Sequence, residues 1–444
     1  MSGRRYLQLN FSNIPASGKV SHARGNPVLT ATIGRQDADL DLSSIRISGD
    51  LDIFRDAGGV NRPTAGAASE LRASHKLGIY GAIDQLIFRN AETKQVVEHI
   101  RHYGRFMSSF LPAMAASSDY QGHLGESALM FDNFQMFRNA VIRNTQSSPF
   151  SIPLPSGMTL GTGMKLPLSK MPLEIEIHLV PDSQFFFSAD GVTTNVADCF
   201  YELSKLKLSC EVEPESKAPD SGVMTFNTIT SYFSTIETTN SIINYRLGLS
   251  NVLGAFVNFV PSSFVNNLGQ DGYLTYMPSK ASSGDAGGGQ PAGAAGGAVA
   301  DLLKISFLRN GERFPKMFET DCVFEPVTNV TPVVDSEVIK SFMSSIVPES
   351  HHVRTSVSPD TTNRNFTVSN NTLTGYRNMP CAGATYGVGV LYDMLDSQGV
   401  DFSEAQFSIQ MENGLDDGNP VSAYLFIKSK VVVAYSEKGV QIVS

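Results

Sequence analysis

The heptapeptide FMSSFLP (Phe106–Pro112) recurs almost unchanged as FMSSIVP (Phe342–Pro348), 236 residues further along a chain of 444. Both copies close a segment in which apolar residues recur at helical spacing. Both also end in proline, which lacks the amide hydrogen that a continuing helix needs. The pattern predicts that each copy is the last turn of a helix, and it raises the question of whether the chain is a duplicated unit.

The two predicted helices carry similar apolar stripes. In QVVEHIRHYGRFMSSFL the stripe consists of Val96, Ile100, Tyr103, Met107 and Phe110. In SEVIKSFMSSIV the stripe consists of Val338, Phe342 and Ile346, widened by Ile339, Met343 and Val347. Asp335 or Ser336 can cap the second helix, and Pro112 and Pro348 are predicted to end the two helices.

The segments around the two copies recur in the same order. A strand-like stretch ending in Phe88-Arg89-Asn90 precedes the first copy, and one ending in Leu308-Arg309-Asn310 precedes the second. After the first copy comes YELSKLKLSCEV (Tyr201–Val212), and after the second comes YLFIKSKVVVAY (Tyr424–Tyr435). This shared order favours an internal duplication.

The length of the chain also favours two domains, because single cores rarely grow beyond about 250–300 residues. We expect one domain at 1–217 and another at 218–444, meeting in EPESKAPDSG (Glu213–Gly222), where the strand pattern fails. The Gly/Ala-rich stretch Lys280–Ala300 has no apolar periodicity. Such a composition buries too little side chain to offset the entropy of ordering, so we expect a flexible loop within the second domain.

Most other segments are β-rich. LEIEIHLV places Leu173, Ile175, Ile177 and Leu179 on one face and Glu174, Glu176 and His178 on the other, as expected of a half-buried strand. LKLSCEV does the same with Leu206, Leu208, Cys210 and Val212. Short strands separated by Gly, Pro, Asn and Asp predict a mainly antiparallel β fold.

Charge is sparse and unevenly distributed. Charged residues make up 17% of the chain, against roughly 25% in average globular proteins. A surface of this kind suits a protein that buries its exterior against neighbours, or simply a β-rich protein with polar loops. The net charge is −9, which does not indicate a nucleic-acid binder.

The N-terminal segment 1–36 departs from this balance because it contains no acid. Its cations are Arg4, Arg5, Lys19, Arg24 and Arg35. Two interpretations are open: a basic arm that faces DNA or an anionic membrane surface, or a solvated segment without a binding role.

Cysteine usage and the N-terminus point to an intracellular product. The four cysteines, Cys199, Cys210, Cys322 and Cys381, show no close pairing, so we expect buried thiols. The N-terminal MSGRRYLQLNF lacks the apolar core of a signal peptide. The longest nearly apolar run, Val252–Val260, is much shorter than the roughly 20 residues that span a bilayer.

No established catalytic motif is present in the sequence, and no cofactor is predicted. The strongest metal candidate is the pair His99 and His102, which lacks a third ligand. Weaker candidates are His351-His352, in a predicted loop, and Asp416 and Asp417, in a predicted turn. Arg101 and Arg105 beside Tyr103 could contact RNA or form an ordinary surface. The paired serines of the two repeats have no recognisable base nearby.

One stretch is exceptional in its lack of charge. SNVLGAFVNFVPSSFVNNLG (Ser250–Gly269) is rich in apolar residues and contains no charged residue. It is either a core strand with its loop or a surface buried against another subunit.

Taken together, these segments resemble the double jelly-roll major capsid proteins of the adenovirus and tailless-phage lineage, with polinton-like virus and virophage proteins nearest. The likeness is carried by GIYGAIDQLIFRN followed by IRHYGRFMSSFL, then PLEIEIHLVPDSQFFF, YELSKLKLSCEV and YRLGLSNVLGAFVNFVPS. It rests on pattern and order over most of the chain, without a diagnostic motif. The Gly/Ala-rich loop has no fixed counterpart in the family.

The resemblance implies two tandem eight-stranded antiparallel jelly rolls with short helices in the loops. It also implies a homotrimeric, pseudo-hexagonal capsomer that tiles an icosahedral shell in the virion of a dsDNA virus, without catalysis. Partners would be further copies of the chain, penton and minor capsid proteins, and DNA or a membrane inside. The basic N-terminal segment would then face the interior.

Two other classes remain open. A carbohydrate-binding or receptor-binding spike-like protein would use exposed aromatic side chains, although the chain contains no tryptophan. A two-jelly-roll hydrolase would need a cleft with clustered carboxylates, for which Glu174, Glu176 and Asp182 are the densest candidates.

Overall fold

The computed structural model describes most of the chain. The described residues are 3–54, 71–74, 77–114, 127–129, 147–160, 165–188, 199–216, 218–238, 240–262, 265, 273, 303–316, 320–322, 325–327, 330–333, 366–369, 372–376, 388–392, 398–412, 420–436 and 439–443.

The first half of the chain forms two antiparallel sheets. One contains β1 (Arg5–Asn10), β2 (Lys19–Val20), β4 (Ala38–Phe54), β8 (Ser148–Pro153), β9 (Lys165–Pro167) and β12 (Phe200–Pro214). The other contains β3 (Val28–Ile33), β6 (Ile83–Asn90), β7 (Val96–Ile100) and β10 (Leu173–Leu179). Strands β5 (Leu71–Ala73) and β11 (Phe186–Ser188) pair separately.

The second half also forms two antiparallel sheets. One contains β13 (Gly222–Ile236), β15 (Val252–Pro261), β23 (Val388–Leu391), β25 (Val421–Ser436) and β26 (Gly439–Val443). The other contains β14 (Ser241–Tyr245), β16 (Leu303–Arg309), β17 (Glu312–Arg313), β18 (Thr320–Cys322) and β24 (Phe407–Glu412). Two hairpins pair β19 (Glu325–Val327) with β20 (Val330–Val333), and β21 (Phe366–Ser369) with β22 (Thr372–Tyr376).

The main strands of the two halves are connected in the same way. One sheet has the order β1-β12-β4-β8 in the first half and β13-β25-β15-β23 in the second. The facing sheet has the order β3-β10-β6-β7 in the first half and β14-β24-β16-β17 in the second. Counting eight main strands in each half, the orders are 1-8-3-6 and 2-7-4-5 both times. This is the arrangement of a jelly roll, and the predicted double jelly-roll fold is confirmed.

The segments in which apolar and polar residues alternate form strands, and their apolar residues face the core. LEIEIHLV is β10, which lies between β3 and β6 and buries Leu173, Ile175, Ile177 and Leu179 in the core. LKLSCEV lies in β12 and buries Leu206, Leu208, Cys210 and Val212. The prediction of buried thiols is confirmed for Cys199 and Cys210. Burial raises the pKa of the Cys210 thiol to about 11, so that side chain stays protonated near neutral pH.

The helical prediction around the first repeat needs a correction. The helix, α1, covers Tyr103–Met114, whereas Val96–Ile100 forms strand β7 beside β6. An interval of four residues keeps two side chains on one face of a strand as well as of a helix, so the spacing of Val96 and Ile100 did not distinguish the two. The helix also continues two residues past Pro112, which therefore lies in its last turn.

Two shorter helical segments complete the described secondary structure. They are a 3₁₀ helix at Gly78–Ala82 and α2 at Asp182–Phe185. Several sequence predictions fall outside the described residues: the second helix with its FMSSIVP repeat, the loop Lys280–Ala300, His351-His352, and Asp416 with Asp417. These stay predictions. Within the described part of the chain, no helix is long and apolar enough to cross a membrane.

The barrels have two distinct ends, which we define by their final strands. The upper end is where β12 or β25 begins, and the lower end is where each of them finishes. The connection between β12 and β13 lies at the lower end. At the upper end, His102 and Leu179 of the first barrel line one cavity with Phe233 and Tyr424 of the second. The two barrels therefore stand side by side and point in the same direction.

Candidate functional site: the interface between the barrels

The uncharged stretch Ser250–Gly269 supplies a strand that is buried on both faces. Within β15, Val252, Ala255, Val257 and Phe259 pack into the core of the second barrel. Phe256 and Val260, on the opposite face, belong to the core that extends from the first barrel. The prediction of a core strand is thus confirmed. A charge on either face would be desolvated, which explains why this strand has none.

Helix α1 carries the FMSSFLP repeat into this interface. Phe106 is fully buried, and its ring lies 5.7 Å from that of Phe426 and 6.1 Å from that of Phe256. On its own helix, Phe106 stacks on Phe110 with ring centroids 5.1 Å apart. Aromatic pairs at such distances stabilise beyond the area they bury. The repeat therefore contributes an apolar contact between the two barrels.

The two serines of FMSSFLP have structural partners. Ser108 Oγ donates to the carbonyl of Arg105, 2.7 Å away. Ser109 Oγ accepts a hydrogen bond of 2.8 Å from Asn258 Nδ2, which also donates to the Arg105 carbonyl at 2.9 Å. Ser108, Ser109 and Asn258 are all buried. Ser109 thus connects helix α1 to strand β15, whereas Ser108 forms its hydrogen bond within the helix.

A buried carboxyl group forms a polar contact between the barrels. Glu98 Oε1 accepts the backbone amides of Gly157 at 2.8 Å and Ile229 at 2.7 Å, and its Oε2 accepts that of Met158 at 3.2 Å. Gly157 and Met158 belong to the first barrel, whereas Ile229 lies in β13 of the second. Burial raises the pKa of Glu98 to about 7, and its hydrogen bonds lower the pKa only in part.

The backbones of the two barrels approach closely beside this carboxylate. A side chain at Gly157 would place its Cβ 2.5 Å from the Cα of Thr228 in β13. A Cβ at Gly104, in helix α1, would lie 2.7 Å from the ring of Tyr273. Tyr273 reaches from the second half into the first, where its hydroxyl donates to the carbonyl of Gly81 at 2.7 Å. Glycine permits contacts that any other residue would obstruct.

A guanidinium completes the contact. The Arg105 guanidinium lies 4.8 Å from the ring centroid of Tyr273 and 5.1 Å from that of Tyr424. Arg105 is buried while Arg101 is exposed, so the two arginines do not form one surface patch for RNA. Arg105 instead makes cation–π contacts with two rings of the second barrel.

The histidine pair proposed for metal binding is divided between two environments. His99 lies in β7 with Nε2 2.8 Å from Gln85 Oε1. His102 lies between β7 and α1 with a positive φ of 55°, and its Nδ1 is 4.0 Å from Asp84 Oδ1. Burial lowers the pKa of both imidazoles. Among the described residues, no group of three or more side chains could hold a metal ion.

The three carboxylates proposed for a hydrolase do not all lie together, because only Glu174 and Glu176 share a contact with Arg89. Glu174 pairs with Lys94 at 2.6 Å, and Glu176 pairs with His178 at 2.6 Å. Asp182 follows the opposite end of β10 and accepts the amide of Tyr201 at 2.9 Å, while burial raises its pKa. Strand geometry places Glu174 and Asp182 roughly 25 Å apart, too far for one pair of catalytic carboxylates.

The predicted basic arm is part of the first barrel. Segment 1–36 contains strands β1, β2 and β3 within its described residues, so it is not a separate extension. Arg4 contacts Glu211 at 3.1 Å near the lower end, where Arg5 aligns with Val212. Arg35 also lies at the lower end, with its guanidinium 2.6 Å from Glu92.

The other two cations lie at the opposite end. Lys19 Nζ is 2.9 Å from the fully buried carboxylate of Glu202, which Arg24 also contacts. Glu202 and Glu211 are nine residues apart along β12, or roughly 30 Å in a strand. The five predicted cations therefore do not form a single patch, and an interior-facing role for them stays a prediction.

Sequence reasoning missed the residues that join the barrels. Gly157 and Tyr273 lie in connecting segments without any recognisable motif. Glu98 gave a weak signal, as an acid between the apolar residues Val97 and Ile100. The predicted helix left Glu98 outside its apolar stripe, whereas in strand β7 the carboxyl group reaches the amide of Ile229 in the other barrel.

Comparison with known proteins supports the fold. No protein-family model and no curated protein matches the sequence. Among solved structures, VP54 of PBCV-1 aligns with a TM-score of 0.52 and 10% identity, covering 100% of this chain and 96% of VP54. A chain of the Sputnik virophage gives 0.53 and 8%, covering 99% and 88%. The Faustovirus major capsid protein gives 0.53 and 7%, covering 98% and 90%.

The chain thus has the fold of double jelly-roll capsid proteins over nearly its whole length. The predicted resemblance is confirmed at the level of fold. At 7–10% identity the likeness does not transfer individual residues or partners.

Proposed function

We propose that the chain is the major capsid protein of an icosahedral dsDNA virus and that three copies form a pseudo-hexagonal capsomer. The observation that carries this proposal is the pair of side-by-side jelly rolls that point in the same direction. Three such chains present six similar barrels around one axis, which approximates a hexagon. Closed symmetric association of this kind limits growth to a defined block.

The interface between the barrels supports the proposal. A capsomer must keep its shape when it packs against neighbouring capsomers, so its two barrels should behave as one rigid unit. Phe106 and Glu98 both contact the second barrel from the first, and both are buried. Function in this proposal consists of buried surface between copies, and no residue is assigned a catalytic role.

We further propose that the domains comprise residues 1–217 and 218–444. Strand β12 ends at Pro214 and β13 begins at Gly222, which is consistent with a boundary in between. The similar strand order of the two halves supports an origin by duplication. Separate superposition of the two halves tests this division, and superposition at a different register would contradict it.

The lower end is our candidate for the interior face of the shell. In the proteins that the chain resembles, the N-terminus lies at the inner base, and Arg4, Arg5 and Arg35 lie at this end. Contact with DNA or a membrane would use these three residues, without Lys19 and Arg24. Because Arg4 and Arg35 already pair with glutamates, we expect such contact to be weak. Penton and minor capsid proteins are the other partners that the proposal implies.

The test is the mass of the purified protein in solution. A trimer has a mass of about 144 kDa, three times the 48.0 kDa of the chain. Multi-angle light scattering should give this mass across a range of protein concentrations and of salt. A monomer under every condition, including those that promote assembly, would contradict the proposal.

A further inference from the structure

The upper end of the interface contains a cavity that the contacts between the barrels do not fill. Its volume is about 500 Å³, and residues of both barrels line it. Binding pockets for small molecules commonly measure about 300–1,000 Å³. The lining residues that bear on a ligand are Asp84, His102, His178, Gln184, Phe233 and Tyr424.

Aromatic rings form one wall of this cavity. Phe233 is 49% exposed, which is unusual for so large an apolar side chain. Its ring lies 5.1 Å from that of Tyr424 and 5.9 Å from the imidazole of His102. The ring of Phe233 therefore offers an accessible apolar face, and its contacts with Tyr424 and His102 hold the ring in place.

Polar side chains with both donors and acceptors form the remaining walls. Asp84 offers a partly exposed carboxylate, and Gln184 offers an amide. His178 contributes a further ring, which already contacts Glu176 through Nε2 at 2.6 Å. An apolar ligand would desolvate the carboxylate and the amide without offering either a hydrogen bond, at a cost in free energy.

The cavity lining carries one side chain of each formal charge besides its three histidines. Arg105 is the one guanidinium among the lining residues, and Asp84 is the one carboxylate. Burial lowers the pKa of His102 and keeps its imidazole neutral. A balanced site of this kind gives an anion little advantage over a neutral molecule.

We propose that this cavity binds a neutral sugar. The apolar face of a pyranose ring would lie against Phe233, and its hydroxyls would exchange hydrogen bonds with Asp84 and Gln184. A sugar is both apolar on one face and rich in donors and acceptors at its edge, as this lining requires. The site lies at the end opposite to Arg4 and Arg5, and its existence does not depend on the capsid role.

Saturation-transfer difference NMR on the full chain tests the proposal with glucose, galactose, mannose and N-acetylglucosamine as probes. We expect saturable binding of at least one of them. Asp84→Asn and Phe233→Ala should each weaken that binding about tenfold or more, because one removes a charged acceptor and the other the apolar face. Tyr6→Ala is the matched control, since Tyr6 is a 65% exposed aromatic at the lower end, and it should bind as the wild type does.

Thermal unfolding of each variant establishes that it is folded. If Phe233→Ala does not fold, Gln184→Ala replaces it, with weaker binding again expected. Three outcomes would overturn the proposal: no saturable binding of any of the four sugars, unchanged binding in the folded site variants, or displacement of the bound sugar by inorganic phosphate.

Discussion

At the scale of single residues, Glu98 illustrates how a few polar atoms can hold two barrels in one relative position. Its carboxylate accepts three backbone amides, one of which lies in the other barrel. Glu98→Ala would leave these buried donors without an acceptor, and each such donor costs about 1–3 kcal/mol. We expect the free energy of unfolding to fall by about 3 kcal/mol or more, measured by urea denaturation at pH 6.

The conservative variant Glu98→Gln separates acceptor from charge. Its Oε1 can still accept the amides of Gly157 and Ile229, and only the amide of Met158 loses its acceptor, so the variant should retain most of the stability at pH 6. Burial raises the pKa of Glu98 from 4.5 to about 7, so the native state holds this proton more tightly than the unfolded chain does. The resulting stability is complete below about pH 4.5 and is lost as the pH rises through about 7. Wild-type stability should therefore decline between pH 5 and pH 8 relative to Glu98→Gln, and parallel pH profiles would contradict this assignment.

Gly157 shows how closely the two backbones approach. The Cβ of Gly157→Ala would lie 2.5 Å from Thr228 Cα, so the barrels would have to move apart. We expect a loss of about 1–3 kcal/mol in the free energy of unfolding, as for other overpacked sites. Gly34→Ala is the matched control because nothing lies within 4 Å of a Cβ there. Equal stability of the two variants would show that the barrels are not in tight contact at this point.

At the scale of elements, the sequence predicted strands better than helices. The alternation in LEIEIHLV and LKLSCEV identified both the strands and their buried faces. In a strand, every second side chain points to the same face of the sheet, so the alternating apolar residues must all face the core. The segment Val96–Ile100 was ambiguous, since its spacing fits both periods. The residues that join the barrels could not be predicted at all, because Tyr273 and Gly157 acquire their roles only once two sequence-distant surfaces meet.

Helix α1 is the element that most directly couples the barrels. Phe106→Ala removes a fully buried ring that contacts Phe256 and Phe426, and such truncations cost about 3–5 kcal/mol. We expect differential scanning calorimetry to show two separate transitions in this variant and a single one in the wild type. Tyr6→Ala, at an exposed position, should unfold as the wild type does. A single transition of unchanged midpoint in Phe106→Ala would mean that other contacts suffice to couple the barrels.

At the scale of the whole molecule, the sequence predicted the fold but not where the basic residues lie. The strand pattern predicted a mainly antiparallel β class, the resemblance to capsid proteins implied the double jelly roll, and the structure confirms both. The basic N-terminal segment suggested one interior patch, but the sheet separates its cations to opposite ends. The sequence could not reveal this separation, because Arg5 and Lys19 are close along the chain but lie at opposite ends of the barrel.

The Gly/Ala-rich stretch 280–300 provides a test at the same scale. We expect this loop to lie on the outside of the assembly, since the preceding strand β15 finishes at the upper end, opposite to the proposed interior face. Deletion of residues 280–300 should leave the mass of the assembly at three copies in light scattering. Replacement of the stretch by a Gly/Ser linker of equal length is the control. Dissociation of the deletion variant alone would place the loop in a contact between copies.

The central claim, that three chains form one six-sided block, is tested most directly by negative-stain electron microscopy of the purified protein. Class averages viewed along the symmetry axis should show a hexagonal outline with threefold symmetry, in which six barrels surround the centre. Averages with a single two-lobed particle, or a ring with another number of barrels, would contradict the account.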